Sequence, residues 1–92
     1  MALFILTYGY HETDLRAARR DDHVAYLKKL KADGALVAAG PYDDRTGGVI
    51  LYETEDRAAA EALVADDPYT QLDVTKDRWL REWQVTVGSV TG

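Results

Sequence analysis

The residues in this chain best suited to chemistry lie in segment 20–30, where His23 stands among charged and apolar neighbours. On a helix with about 3.6 residues per turn, one face carries Arg19, His23, Tyr26, Leu27 and Leu30. The two leucines require burial, so this face points toward the interior and carries His23 with it. An inward imidazole is either a proton-transfer group or a hydrogen-bonded core histidine. The segment alone leaves both interpretations open.

Asp67 is a second candidate because of the proline that follows it. Pro68 disfavours the helical conformation for the residue before it. The alanine-rich helix predicted for residues 56–66 therefore ends by about Asp66. Asp67 is then held in an extended backbone immediately after that helix.

Other sets of catalytic or cofactor-binding residues are missing from the sequence. The chain has no cysteine, which excludes disulfides, thiolate nucleophiles and cysteine-ligated zinc. Its only serine, Ser89, falls in the predicted tail, and no glycine-rich nucleotide-binding motif is present. His11 and Glu12 are potential metal ligands, but such a pair is more typical of a solvated loop. We therefore expect no metal and no cofactor, and proton transfer rather than covalent acyl chemistry.

The composition is that of a small soluble domain. Of 92 residues, 47% are hydrophobic and 29% charged, so we expect one domain over residues 1–92, with a C-terminal tail at 88–92. The formal charge of −5 argues against nucleic-acid binding, although local arginines can hold a small anionic ligand. The apolar N-terminal stretch is too short for a secretory signal, and no window is long enough to span a membrane. These features predict a cytoplasmic protein.

The elements that position these residues follow from periodicity and turn residues. The first half is predicted to contain a strand at 3–10, followed by a helix that begins between residues 13 and 18 and ends at Gly34. Two strands follow, at 35–40 and 48–54. The chain then continues with a helix at 56–66, a polar connection at 70–77 and a strand at 79–87. The strands at 3–10 and 35–39 are predicted to be buried, and Thr54 to cap the second helix. A helical start at 79–83 is the alternative for the last strand.

This order predicts an α+β, ferredoxin-like βαββαβ sandwich, with one four-stranded antiparallel sheet and two helices on one face. The strands carry more apolar surface than one layer of helices needs, in Phe4, Leu6, Trp79, Trp83, Val85 and Val87. We therefore expect a second copy to cover the other face. The result is a homodimer packed sheet to sheet, and two such dimers are expected to be able to associate further.

Several short motifs occur in an order and spacing typical of one family. They are the strand at 3–8, Arg20-Asp21-Asp22-His23 followed by Tyr26-Leu27, Gly34, Ala39-Gly40-Pro41, Gly47-Gly48 and Asp67-Pro68-Tyr69. In this set, which covers nearly the whole chain, the sequence resembles the YCII-related (YciI-like) family of small dimeric α+β barrel proteins. The resemblance implies a ferredoxin-like dimer with an active site built from a histidine and an aspartate. These roles fall on His23 and Asp67.

The resemblance also implies a substrate-binding site beside that pair, formed by Arg20, the Gly40-Pro41 turn and Tyr69. Members of the family include a dehydrochlorinase acting on a chlorinated hydroxyquinol. The chemistry of the residues agrees with an active site built on His23 and Asp67. A carboxylate that accepts a hydrogen bond from one imidazole nitrogen fixes the tautomer and leaves the other nitrogen to move a proton. Arg20, one turn before His23, is suited to hold an oxyanion.

Two classes of function therefore remain open. The first is an enzyme in which His23 acts as acid and base in elimination or isomerisation of a small oxygenated organic substrate. The second is a non-catalytic dimeric module that binds a small ligand or a partner protein. In the second class His23 and Asp67 only hold the first helix to the loop after the second.

Overall fold

Four strands form one antiparallel sheet in the computed structural model, which describes residues 1–90. The strands are β1 (Ala2–Tyr10), β2 (Leu36–Pro41), β3 (Gly47–Thr54) and β4 (Thr75–Trp83), in the spatial order β2-β3-β1-β4. The helices are α1 (Leu15–Ala18), α2 (Arg20–Ala32), α3 (Arg57–Asp66) and α4 (Pro68–Gln71). The predicted ferredoxin-like α+β sandwich is confirmed. The helices α2 and α3 are its two crossovers, and α1 and α4 are single-turn additions.

The core lies on one face of this sheet because β1 and β3 alternate in register. Phe4 is paired with Tyr52 and Leu6 with Ile50, and all four side chains are buried. The core cluster joins these strand residues to helix residues, and its members are Phe4, Leu6, Tyr8, Leu30, Leu36, Ile50, Tyr52, Ala60 and Leu80. We call this side the helix face. The other side, here called the open face, carries Leu3, Ile5, Thr7, Val49, Leu51, Trp79, Arg81 and Trp83.

The predicted first helix is interrupted at Arg19, whose φ of −110° and ψ of 8° separate α1 from α2. Arg19 is exposed and pairs with Asp22 at 3.4 Å, so its predicted place on the inward face is wrong. His23 and Leu30 are buried on α2 as predicted. Gly34 ends the helix with a φ of 81°, a conformation that favours glycine.

The strands β2 and β3 form the predicted hairpin, but the predicted burial of β2 is wrong beyond its first residues. Leu36 is buried, whereas residues 38–41 are exposed because β2 is the edge of the sheet. Pro41 is tolerated at the end of this edge strand, where no ladder hydrogen bond is required of it.

Helix α3 begins after a capping aspartate, Asp56, and ends at Asp66, before the Asp67-Pro68 pair. Asp56, rather than the predicted Thr54, caps its N-terminus, because the Asp56 carboxylate accepts a hydrogen bond from the Ala59 amide at 2.8 Å. Asp67 follows the helix with a φ of −67° and a ψ of 127°, the extended conformation predicted from Pro68. The predicted polar connection at 70–77 instead contains the end of α4 and the start of β4.

The last strand begins and ends four residues earlier than predicted, at Thr75–Trp83 instead of 79–87. It forms without the alternative helical start and ends at Trp83, so Val85 and Val87 lie beyond it and do not extend its apolar face. Residues 88–90 have no regular structure, as expected for the tail, and Thr91 and Gly92 lie outside the described residues. Among residues 1–90, no helix combines the length and apolarity needed to cross a membrane.

Candidate active site

His23 and Asp67, separated by 44 residues in sequence, meet in the interior. The distance from His23 Nδ1 to Asp67 Oδ1 is 2.8 Å. The exposed fraction of the side chain is 9% for His23 and 3% for Asp67, so water does not compete for this hydrogen bond. The helical periodicity of α2 directs the imidazole inward, and Pro68 fixes the backbone that presents the carboxylate.

The carboxylate of Asp67 has a second hydrogen-bonding partner that locks its orientation. Asp67 is the N-cap of α4, and its Oδ1 also accepts a hydrogen bond from the Tyr69 amide at 2.9 Å. Pro68 occupies the first position of α4, where its missing N–H costs nothing. Asp67 therefore links the end of one helix, the start of the next and the imidazole of His23.

Tyr69 restrains the imidazole of His23 by stacking on one of its faces. Its ring lies parallel to that of His23, with the centroids 3.9 Å apart and an interplanar angle of 3°. The Tyr69 hydroxyl donates to the backbone carbonyl of Arg16 at 2.7 Å, and burial raises the pKa of this phenol. Its hydroxyl hydrogen is thus occupied within the protein. Tyr69, predicted as a substrate-binding residue, lines the pocket and also restrains His23 by stacking on it.

These contacts determine the tautomer of His23. An ionised carboxylate only accepts hydrogen bonds, so Nδ1 carries the hydrogen that is shared with Asp67 Oδ1. Nε2 then holds the lone pair and is the nitrogen left to accept a proton. An imidazole that is stacked, hydrogen-bonded and buried keeps this orientation without further rearrangement.

His23 borders a pocket of about 420 Å³ between α2, β2 and the end of β1. Its walls are formed by Tyr8, Tyr10, Arg16, Arg20, His23, Val24, Leu27, Lys28, Lys31, Leu36, Val37, Ala38, Ala39, Gly40, Pro41, Arg45 and Tyr69. A volume of this size is typical of small-molecule sites, and the mixture of apolar walls with a few polar groups is typical as well.

The structure brings the predicted site residues together at this pocket. Arg20, Gly40 and Pro41 line it with His23 and Tyr69, and Asp67 lies behind the imidazole. Gly40 and Pro41 contribute because β2 runs back along α2 and exposes its end there.

Sequence reasoning missed several lining residues. Lys28 and Lys31, in the second half of α2, line the pocket although the sequence analysis did not select them. The three- and four-residue spacing that joins Arg20, His23, Leu27 and Lys31 was the signal that could have identified Lys31. Arg45 lies in the β2–β3 turn, and nothing local in the sequence indicates its place.

Tyr8 is a further lining residue, and a pair of glycines makes room for it. A Cβ at Gly47 would collide with the Tyr8 backbone, and one at Gly48 would collide with the Tyr8 hydroxyl. Burial raises the pKa of the Tyr8 phenol far above its ordinary value of 10.0, so the hydroxyl stays protonated. The Gly47-Gly48 motif therefore allows a phenolic donor at the pocket wall.

A metal centre is not formed by the residues that the structure describes. Within 1–90, no three His, Asp or Glu side chains lie close enough together to hold a metal ion. His11 and Glu12, the pair weighed as ligands in the sequence, are in an exposed or partly exposed loop segment. The charges that line the pocket are cationic side chains.

Comparison with known proteins agrees with this architecture. The model of the YCII-related domain matches residues 1–84. An uncharacterised protein of Haemophilus influenzae is 36% identical over 72 residues, which cover 67% of this chain and 74% of that protein. Among solved structures, 5-chloro-2-hydroxyhydroquinone dehydrochlorinase (TftG) from Burkholderia phenoliruptrix, in complex with 2,5-dihydroxybenzoquinone, is similar with a TM-score of 0.77 at 25% identity. That similarity covers 89% of this chain and 93% of the dehydrochlorinase chain.

Proposed function

Since this chain belongs to the YCII-related family, we propose that it is an enzyme that transfers protons by means of the His23–Asp67 pair. The reaction is an elimination or an isomerisation of a small oxygenated organic molecule bound in the pocket. The observation that carries the proposal is the buried 2.8 Å contact between His23 Nδ1 and Asp67 Oδ1, which leaves Nε2 to act at a pocket wall.

The proposed reaction begins when Nε2 of neutral His23 removes a proton from a C–H or O–H group of the substrate. The imidazolium that forms is stabilised by the Asp67 carboxylate through the Nδ1 hydrogen bond. In an isomerisation the same proton returns to another substrate atom. In an elimination a leaving group departs with the electron pair of the broken bond, and His23 later releases the proton to solvent.

Two further observations support this proposal. A dehydrochlorinase removes a proton and a chloride ion from its substrate, and this chain shares the fold of one at 25% identity. The second is the combined restraint on the imidazole by Asp67 and Tyr69. A binding module needs polar groups at its pocket, but it does not need an imidazole whose tautomer is set by a carboxylate and whose ring plane is held by stacking.

The proposal is tested by incubating the protein in D₂O with hydroxylated and enolisable ring compounds. Exchange at carbon is followed by proton NMR, and chloride release is followed with 5-chloro-2-hydroxyhydroquinone. For a compound that the wild type turns over, His23→Gln is expected to lower the rate about 100-fold or more, because it removes the proton acceptor. Asp67→Asn is expected to lower the rate less, since Nε2 is retained but its tautomer is no longer enforced.

The matched control is His11→Gln, which removes the other histidine of the chain from an exposed loop position. It should leave the rate within about twofold of the wild type. Circular dichroism and thermal unfolding confirm that each variant is folded. An unchanged rate in a folded His23→Gln variant, or the same loss in His11→Gln, would contradict the proposal. Specific binding without any turnover across the panel would favour the non-catalytic module.

A further inference from the structure

The pocket is far more positively charged than the rest of the chain. Among its lining residues are five of the eleven Lys and Arg side chains: Arg16, Arg20, Lys28, Lys31 and Arg45. None of the sixteen Asp and Glu residues, all of which lie in the part of the chain that the structure describes, lines it. The Asp67 carboxylate, which is hydrogen-bonded to His23, is buried and does not line the pocket. A chain with a formal charge of −5 therefore concentrates cations around one concavity.

Carboxylates of residues 1–90 form no ion pair with these five cations. Outside the pocket, arginines form the ion pairs Arg19–Asp22, Arg57–Glu61 and Arg78–Asp73. Positive charges that share a concave, partly apolar wall raise the local concentration of anions.

The arginines are placed at the end of the pocket where the candidate base lies. Arg20 is one helical turn before His23, and Arg16 is one turn before Arg20 along the chain. The guanidinium of Arg16 is held over the Tyr10 ring, 3.7 Å from its centroid. Arg16 and Arg20 both act on the neighbouring Tyr69 phenol and tend to lower its pKa, against the larger effect of burial.

Arg45 is brought to the pocket by an ordered turn between β2 and β3. The Arg45 amide donates to the carbonyl of Tyr42 at 3.0 Å, and the Asp44 carboxylate accepts hydrogen bonds from the amide and hydroxyl of Thr46. The two hydrogen bonds from Thr46 also lower the pKa of Asp44, so its carboxylate stays ionised within the turn. The turn holds Arg45 at a φ of 64° beside the end of β2.

The apolar walls limit what such an anion can be. The apolar and aromatic lining comes from three elements: Val24 and Leu27 of α2, Leu36 and Val37 of β2, and Tyr8 and Tyr10 of β1. This surface fits a compact apolar or aromatic body, and the volume of about 420 Å³ accommodates a small molecule rather than a polymer. Guanidinium groups bind carboxylate and phosphate oxygens through paired hydrogen bonds.

We infer that the pocket selects small organic molecules that carry a carboxylate or phosphate group, and that Arg20 and Arg45 bind this group beside His23. Lys28 and Lys31, nearer the other end of α2, attract the anion without fixing its orientation. The inference rests on the proposed function only where it calls the bound molecule a substrate. Oxyanion binding at this site is measurable without turnover.

The test measures binding by calorimetry with pairs of ligands that differ in charge. One pair is 2,5-dihydroxybenzoate and hydroquinone, and the other is phenyl phosphate and phenol. The charged member of at least one pair should bind about 10-fold or more tightly than its neutral partner. Its affinity should fall as NaCl is raised from about 20 mM to about 300 mM. The charged ligand that binds more tightly identifies carboxylate or phosphate as the preferred group.

The variants are Arg20→Gln and Arg45→Gln, with Arg19→Gln and Lys29→Gln as controls. The controls are adjacent to lining residues in sequence and are also exposed, but neither lines the pocket. Each of the two pocket variants should weaken binding of the charged probe about 10-fold, and each control should change it less than about twofold. Equal losses in pocket and control variants, equal binding of charged and neutral ligands, or no binding of either charged probe at millimolar concentration would overturn the inference.

The variant His23→Gln separates this inference from the proposed function. If oxyanion binding persists in His23→Gln and turnover disappears, both proposals are supported. If the wild type binds the charged probes through Arg20 and Arg45 but never exchanges a proton, the oxyanion site stands and the enzymatic proposal fails. Turnover that requires His23 but is unchanged in Arg20→Gln and Arg45→Gln supports the enzyme and rejects the oxyanion site.

Discussion

The two faces of the sheet are built from the same four strands but are covered very differently. On the helix face, Phe4 has an exposed fraction of 2% and Tyr52 of 0%, because α2 and α3 pack over them. On the open face, Trp79 has an exposed fraction of 61% and Trp83 of 40%. Of the residues named for the open face, only Leu51, near its middle, has a buried side chain.

This difference shows that alternation along a strand creates two apolar faces, whereas the helices of one chain cover only one of them. Two exposed tryptophans on one strand face, on either side of Arg81, are unusual for a monomer and are typical of an interface. The helix face, in contrast, is completed within the chain and continues into the pocket at His23.

We propose that a second copy of the chain covers the open face, which gives a homodimer packed sheet to sheet. The apolar residues Leu3, Ile5, Trp79 and Trp83 are aligned across β1 and β4, so a second sheet can pack against them without burying many charges. Arg81 lies among them with its guanidinium 4.1 Å from the Trp79 ring centroid, which reduces its desolvation cost.

The largest expected difference between the faces comes from Phe4→Ala and Ile5→Ala, two neighbours on β1 that point to opposite sides. Phe4→Ala should lower the free energy of unfolding by about 4 kcal/mol, because it leaves a cavity in a closed core. In a monomeric background such as Trp79→Asp, where no second copy covers the open face, Ile5→Ala should cost about 1 kcal/mol, since Ile5 is only partly buried within one chain. Urea denaturation measures both values, and equal losses would show that the open face is as tightly packed as the core.

Trp79→Asp tests the coverage of the open face directly. A charge placed in the proposed interface should weaken the dimer about 100-fold, or ~3 kcal/mol, while the fold of each chain survives because Trp79 is exposed within it. Light scattering at micromolar concentration should report a dimer for the wild type and a monomer for the variant.

Two independent checks accompany that experiment. An aspartate introduced by Lys29→Asp, on the exposed side of α2, should leave the dimer intact even though it changes the charge by more than Trp79→Asp does. Both tryptophans of the chain are on the open face, so their fluorescence should shift to shorter wavelength as the wild type associates. A stable wild-type monomer at micromolar concentration would rule the dimer out.

Alkaline pH should destabilise the helix side of the molecule selectively. Burial raises the pKa of the Tyr8 and Tyr52 phenols well above 10.0, and it raises the pKa of Tyr26 to about 12. Each phenol therefore remains protonated in the folded chain at pH values where it ionises in the unfolded chain. Stability is fully present below about pH 10 and falls as the pH rises toward 12.

Ionisation of Tyr8 and Tyr52 in the unfolded chain should lower the free energy of unfolding by about 3 kcal/mol at pH 11 relative to neutral pH. Urea titrations at several pH values measure this loss, and the loss should be smaller in Tyr52→Phe than in the wild type. No decline between pH 9 and about pH 11 would contradict the burial of these phenols on the helix face.

The smallest predicted effect is a gain of stability in Tyr52→Phe at neutral pH. The Tyr52 hydroxyl is buried and has no hydrogen-bond partner among the described residues. Removing it should raise the free energy of unfolding by about 1 kcal/mol, because an unpaired buried hydroxyl carries a desolvation cost. Tyr26→Phe is the matched control and should be destabilising, since the Tyr26 hydroxyl donates to the Leu63 carbonyl at 2.7 Å. A loss in Tyr52→Phe would show that the hydroxyl has a partner.

The sequence determined the features that depend on a few neighbouring residues. The inward direction of His23 follows from the spacing of Leu27 and Leu30 on one helix. The extended backbone of Asp67 follows from Pro68, and the end of α2 follows from Gly34. The order of elements then restricted the fold to the ferredoxin-like sandwich that the structure has.

Tertiary structure decided everything that depends on which element lies beside which. The apolar run at 35–39 is typical of a buried strand, yet β2 lies at the sheet edge and most of it is exposed. Alternation continues past Trp83 in sequence, but Trp83 already pairs with Leu3, and β1 extends no further than Ala2 to support a longer β4.

The candidate site divides in the same way. Helical spacing placed His23 and Arg20 near one another, because both lie on one helix. The stacking of Tyr69 on His23 and the arrival of Arg45 at the pocket join residues that are distant in sequence. Local rules act over about one helical turn, whereas a hydrogen bond between residues 44 positions apart exists only once the helices and the sheet have packed.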